Sequence, residues 1–203
     1  MEFKIQLSNI VNFTINKAIQ IFGIIIIVFS IIFMLSLISY SPNDPNFIFP
    51  NEKEINNLIG IKGSILSDFF FQSIGFVSVL IPLTFIFVGI NIFSQKKITV
   101  IIECFFLVIL YSLVGSVFLS HFYVNSFWLS INGNGGYVGS FLLDLFFESF
   151  IKLNEKLFFY IFIFIISCLF FFSLKLNLKN IFLYFLKKRN QKTQHMINSE
   201  KNE

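Results

Sequence analysis

The chain is predicted to be an all-α integral membrane protein, with four transmembrane helices arranged as two like-oriented hairpins. Three observations predict this. Of 203 residues, 56% are hydrophobic and 13% charged, where soluble domains carry about 25% charged residues. Four uncharged or nearly uncharged apolar runs are each long enough to cross a bilayer. A fifteen-residue element occurs twice, 76 residues apart, with eight identical positions. A mean hydropathy of +0.80 and 32 phenylalanines leave too little polar surface to cover a soluble globule of this size.

The first run, 18–40, holds 23 residues with one Gln and no charge. At 1.5 Å per residue it is about 34 Å long, enough to span with some tilt. It exceeds the apolar core of a signal peptide, about 7–15 residues, so an uncleaved anchor is expected. The others are 76–93, carrying Pro82 midway, then 98–120 with Glu103, then 157–174. Backbone amides in hydrocarbon must pair within their own segment, and runs without strand alternation do so as helices. Cys104 and Cys168 both sit inside apolar runs and read as small buried hydrophobes, not as a disulfide.

Orientation follows from lysine and arginine placement. Residues 1–17, the connection 94–97 and the segment 175–203 carry eleven basic residues; loops 41–75 and 121–156 carry four, with seven of the eleven acids. Both termini are therefore expected in the cytoplasm and the two long loops outside. On this division, 1–17 is a cytoplasmic N-terminus, 18–174 the membrane domain and 175–203 a basic, partly disordered tail. Glu103 is expected to snorkel or pair at the cytoplasmic boundary near Lys96 and Lys97. Lys187, Lys188, Arg189 and Lys192 form a basic cluster suited to anionic lipid.

The repeated element reads GIKGSILSDFFFQSI from Gly60 and GYVGSFLLDLFFESF from Gly136. Both copies fall before a span that returns to the cytoplasm, so the repeat is parallel, about an axis along the membrane normal. Gly60 and Gly63, with Gly136 and Gly139, allow a sharp turn or a close backbone approach. Ser64, Asp68 and Gln72 are spaced four apart, as are Ser140, Asp144 and Glu148, so each trio forms a narrow polar stripe on an otherwise apolar helix. Such a helix suits the lipid–water boundary. Its stripe is either the wet side of that helix or a contact with a partner outside the membrane.

No catalytic, cofactor or metal constellation is present: no zinc-protease, nucleophile-elbow or phosphate-loop motif occurs, and His121 and His195 are far apart. An ion-coupled transporter would be expected to carry ionisable residues at mid-membrane; Glu103 is the one acid within a span, near its end. A small transporter or channel subunit is the alternative reading.

The loops carry a family resemblance. SYSPNDPNF (Ser39–Phe47), NLIGIKGSILSDFFFQSIG (Asn57–Gly75) ahead of a span with Pro82, and GNGGYVGSFLLDLF (Gly133–Phe146) resemble, in order and placement, the four-helix membrane region of FtsK/SpoIIIE DNA translocases. The resemblance covers residues 15–175. It implies a non-catalytic inner-membrane anchor for a division-site DNA motor, with periplasmic loops and divisome proteins as partners. It also implies a homo-oligomer, a hexamer matching the ring of the family's ATPase. DNA would be contacted only through a motor domain. No phosphate-binding loop lies in these residues, so ATP hydrolysis carries over to none of them, and the polar tail ending at Glu203 reads as the start of a linker.

Overall fold

The computed structural model describes residues 2–46, 54–124, 128–129 and 131–176. Seven α-helices occur among them: α1 (Glu2–Ile38), α2 (Ile61–Ile74), α3 (Leu80–Gln95), α4 (Val100–Phe122), α5 (Gly136–Leu142), α6 (Glu148–Leu153) and α7 (Glu155–Ser173). A 3₁₀ turn, Gly75–Val79, joins α2 to α3, and a π-turn, Leu143–Phe147, joins α5 to α6. Four segments are long and apolar enough to cross a membrane: Ser8–Ile38, Ile61–Gln95, Val100–Phe122 and Glu155–Ser173.

The first helix begins well before Ala18, so residues expected as an N-terminal segment continue the spanning helix without a break. Its outer surface is exposed apolar side chains such as Phe13, Ile21 and Phe29, which suits lipid rather than water. Helices α1 and α3 run antiparallel and touch through small residues. A Cβ added to Gly23 would meet the Gly89 carbonyl oxygen at 2.9 Å, and one on Gly89 the Gly23 oxygen at 2.8 Å. In lipid, where apolar burial gives no net drive between helices, such close backbone packing holds them together.

Pro82 falls in the first turn of α3, directly after the 3₁₀ turn that ends at Val79. Proline's fixed φ suits the first turn of a helix, where it is best tolerated. The start of α7 has a similar local cause. Asn154 leaves the helical region (φ −156°, ψ 83°), and its side-chain Oδ1 accepts from the Leu157 amide at 3.2 Å. That is an N-cap, and it turns the chain from α6 into the last span.

The core is a seam of small hydroxyls and β-branched residues between α3, α4 and α7. Val88, Ile92, Val100 and Cys104 form one buried cluster; Val77, Ile81, Val108 and Tyr111 form another. Thr84 Oγ1 lies 3.1 Å from the Tyr111 hydroxyl and 3.3 Å from Ser173 Oγ, so one polar node ties three helices. The end of α7 is held further by Asn91 Nδ2, which donates to the Leu174 carbonyl (3.1 Å), and by Cys104 Sγ, which donates to the Ser173 carbonyl (3.1 Å). Glu103 pairs with Lys175, Nζ to Oε2 2.5 Å, just past α7. Its partner is thus a residue 72 positions away rather than Lys96 or Lys97. Both cysteines are free, Cys104 buried and Cys168 half-buried.

Candidate interaction site at the paired return elements

The two copies of the repeated element lie side by side at one end of the bundle, the end where α1 and α4 finish. Copy one is folded against its own half. Ser36 Oγ on α1 donates to the Gly63 carbonyl at 2.6 Å, and Ser64 Oγ, 2% exposed, donates to the Pro45 carbonyl at 2.6 Å. Asn57 fills the space beside Gly63 that a side chain would need, and its amide donates to the Ser36 carbonyl at 2.8 Å. Buried Asp44 receives the amides of Asn56 and Asn57 at 2.9 and 2.8 Å. Gly60, at φ +72°, makes the turn into α2 with open space around it.

Further along the stripe, the Tyr40 hydroxyl donates to Asp68 Oδ1 at 3.2 Å, and Gln72 Nε2 donates to the same oxygen at 3.4 Å. Burial, then the neighbouring Asp68 carboxylate, push the Tyr40 phenol up to about 12. Gln72 carries the link across: Asn132 Nδ2, from the connection ahead of α5, donates to Gln72 Oε1 at 3.0 Å and to its carbonyl at 3.3 Å. The stripe of copy one thus meets α1 and the second half of the chain.

The halves also meet through backbone. Gly75 (φ +69°) and Gly136 (φ +68°) both occupy the left-handed region. A Cβ on Gly136 would lie 2.6 Å from the Gly75 nitrogen, and one on Gly75 would run into the Asn134 carbonyl. That carbonyl accepts the Phe76 amide at 2.9 Å, and Ser116 Oγ on α4 donates to the Ile74 carbonyl at 2.9 Å. Gly139 sits against the Ser116 carbonyl of α4, with no room for a side chain.

Copy two does not repeat the stripe. Ser140 Oγ donates to the Tyr137 carbonyl of its own helix (3.0 Å). The π-turn at Leu143–Phe147 inserts an extra residue per turn, so the four-residue spacing no longer keeps Ser140, Asp144 and Glu148 on one line. Asp144 is exposed and makes no hydrogen bond or ion pair among the described residues. Exposed Glu148 pairs with Lys152 at 2.6 Å; that hydrogen bond and its charge hold the carboxyl below its ordinary range. Lys187, Lys188, Arg189 and Lys192 lie outside the described residues.

Sequence reasoning singled out the glycines and the stripes but missed Tyr40, Asp44, Asn57, Asn132 and Asn134. For Asp44, Asn132 and Asn134 the signal was present in the asparagine-rich runs PNDPN and NGNGG, since Asn and Asp side chains bond to nearby backbone at turns; Tyr40 and Asn57 lie in neither run. The arrangement is one of packing and hydrogen bonding, and among the described residues no cluster of three His, Cys, Asp or Glu could hold a metal.

Comparison with known proteins agrees with this architecture. The DNA translocase FtsK of Rickettsia typhi is 37% identical over 101 residues, half of this chain and 13% of that protein. That of Rickettsia bellii is 43% identical over 60 residues, 30% of this chain and 8% of that protein. That of Rickettsia prowazekii is 33% identical over 107 residues, 51% of this chain and 14% of that protein. The chain therefore matches only a small part of the length of these relatives. No solved structure matches it. The family described as "4TM region of DNA translocase FtsK/SpoIIIE" matches residues 17–181. With four apolar spanning helices and that match over most of its length, the chain belongs to this FtsK/SpoIIIE membrane-region family.

Proposed function

We propose that this chain is the non-catalytic inner-membrane anchor of a DNA translocase that acts in cell division and chromosome segregation. The observation that carries the reading is the family match over residues 17–181, laid on a four-helix bundle. The bundle's interior supports an anchoring role, since its polar groups are mostly spent on each other. Thr84, Tyr111 and Ser173 share bonds between helices, and Glu103 is paired with Lys175 at a helix end.

In this reading both termini face the cytoplasm, as the basic residues of the 94–97 connection and the tail favour, and the paired return elements face the periplasm. The chain assembles with copies of itself, a hexamer matching a ring-shaped motor, and meets divisome proteins. DNA is reached through a motor domain rather than through these residues. A fluorescent fusion of the chain is expected to gather at mid-cell in dividing bacteria. Uniform envelope fluorescence would overturn the division reading. Cysteine labelling at positions 68 and 144 from the periplasmic side tests the orientation, and labelling from the cytosol alone would invert it.

A further inference from the structure

Between α2 and α5, beside the Tyr40–Asp68–Gln72–Asn132 network, lies a cavity of about 810 Å³. Sites for small ligands run from about 300 to 1,000 Å³, so it has room for one. Leu66, Phe69, Ile131 and Tyr137 give it an apolar wall, and Lys62 and Asp68 both line it. Phe69 and Ile131 are 63% and 73% exposed, large apolar surfaces left open at the end of the spanning bundle.

The two charges are not spent on each other. Lys62 takes part in no ion pair or hydrogen bond among the described residues. Both hydrogen bonds to Asp68 fall on Oδ1, from Tyr40 and Gln72, so Oδ2 is free to accept. The cavity therefore offers an apolar wall, a cation and, separately, an anionic acceptor. An occupant must match all three: a long apolar body, one negative group and one positive group with N–H donors. An anionic lipid without an ammonium would set its charge against Asp68. A quaternary ammonium would reach Asp68 with no proton to donate.

We propose that this cavity binds one molecule of phosphatidylethanolamine. Its phosphate pairs with the Lys62 ammonium, its headgroup ammonium donates to Asp68, and an acyl chain lies along Leu66, Phe69 and Ile131. The Tyr137 ring stands at the headgroup, where amphipathic aromatics prefer to sit. The site goes beyond the anchoring role and does not depend on it.

The test uses the full chain in nanodiscs of phosphatidylethanolamine, phosphatidylglycerol and phosphatidylcholine in equal parts, extracted in mild detergent and read by native mass spectrometry. One phosphatidylethanolamine per chain is expected, with the other two retained at least several-fold less. Lys62→Ala and Asp68→Asn should each lower retention several-fold, and Lys152→Ala, on α6, should leave it unchanged. Asp68→Asn also disturbs the Tyr40 contact, so Lys62→Ala, with an unaltered thermal melt, carries the decision. Equal or greater retention of phosphatidylglycerol would overturn the proposal, as would unchanged retention in Lys62→Ala. Leu66→Cys chains that cross-link to one another, with no lipid retained, would show a second copy in the cavity and overturn it equally. A chain that gathers at mid-cell yet retains no phosphatidylethanolamine would sink the lipid site and spare the anchor.

Discussion

Gly75 and Gly136 cross backbone to backbone: a methyl group on Gly136 would stand 2.6 Å from the Gly75 amide nitrogen, with both residues at positive φ. Gly136→Ala therefore meets two penalties, the left-handed backbone and a contact with main chain that cannot move aside. A loss of about 3 kcal/mol or more is expected, read as a fall in thermal midpoint in detergent. Gly60→Ala is the matched control, since Gly60 shares the positive φ but has open space around it. It should lose less than Gly136→Ala, about 1–3 kcal/mol from backbone strain alone. Equal losses at the two positions would refute the crossing.

The Tyr40 phenol carries a pH signature. Its folded value is raised to about 12 from 10.0, so the folded chain holds this proton more tightly than the unfolded one. Stability from the shift is complete below about pH 10 and declines as pH rises toward about 12. Lysines titrate in the same window, so the readout is the difference between the parent chain and Tyr40→Phe. The variant should lose stability at neutral pH, where the bond to Asp68 is gone, and should decline less steeply above pH 10. Parallel slopes would contradict the contact.

Asp68 and Asp144 are equivalent in the repeat but opposite in placement. Asp68→Leu removes the acceptor for Tyr40 and Gln72 and should cost about 1–3 kcal/mol. Asp144→Leu touches no described partner and should stay within about 0.5 kcal/mol. If the outward acid of copy two meets another subunit, Asp144→Leu alters the oligomer size in detergent while the melting point stays put. An Asp144→Leu chain that melts as early as Asp68→Leu would show that the copies are alike after all.

Asn154→Ala tests the last hairpin. Loss of the bond to the Leu157 amide removes the N-cap of α7 and should cost about 1 kcal/mol. Asn154→Asp should retain it, because a carboxylate accepts the same amide. Hydrogen exchange at Leu157 reads the difference directly.

The four spans were legible because lipid demands long uninterrupted apolar runs, and those are visible letter by letter. Helices α4 and α7 sit within two residues of the runs that foretold them. Two local events were not legible. The π-turn leaves no mark in LDLFF, and it adds to a difference the letters do carry: Ser116 and Glu148 stand where copy one has its two Asp68 donors, Tyr40 and Gln72. The 3₁₀ turn that begins at Gly75, directly ahead of the first turn of α3 with Pro82, is the other, because a glycine that can be crossed by another backbone reads like any other glycine. The coupling of Gln72 to Asn132 was hidden for a different reason. It joins residues sixty positions apart, and no periodicity reports such a pair.

The fastening of α7 has a mechanical consequence. Tension entering through the chain beyond residue 176 reaches Ser173, Leu174 and Lys175 first. These three are stitched laterally to α3 by Thr84 and Asn91 and to α4 by Cys104 and Glu103. Those four contacts all act within three consecutive residues at the end of α7. A load applied at the end of α7 would thus be divided among three helices rather than carried by one.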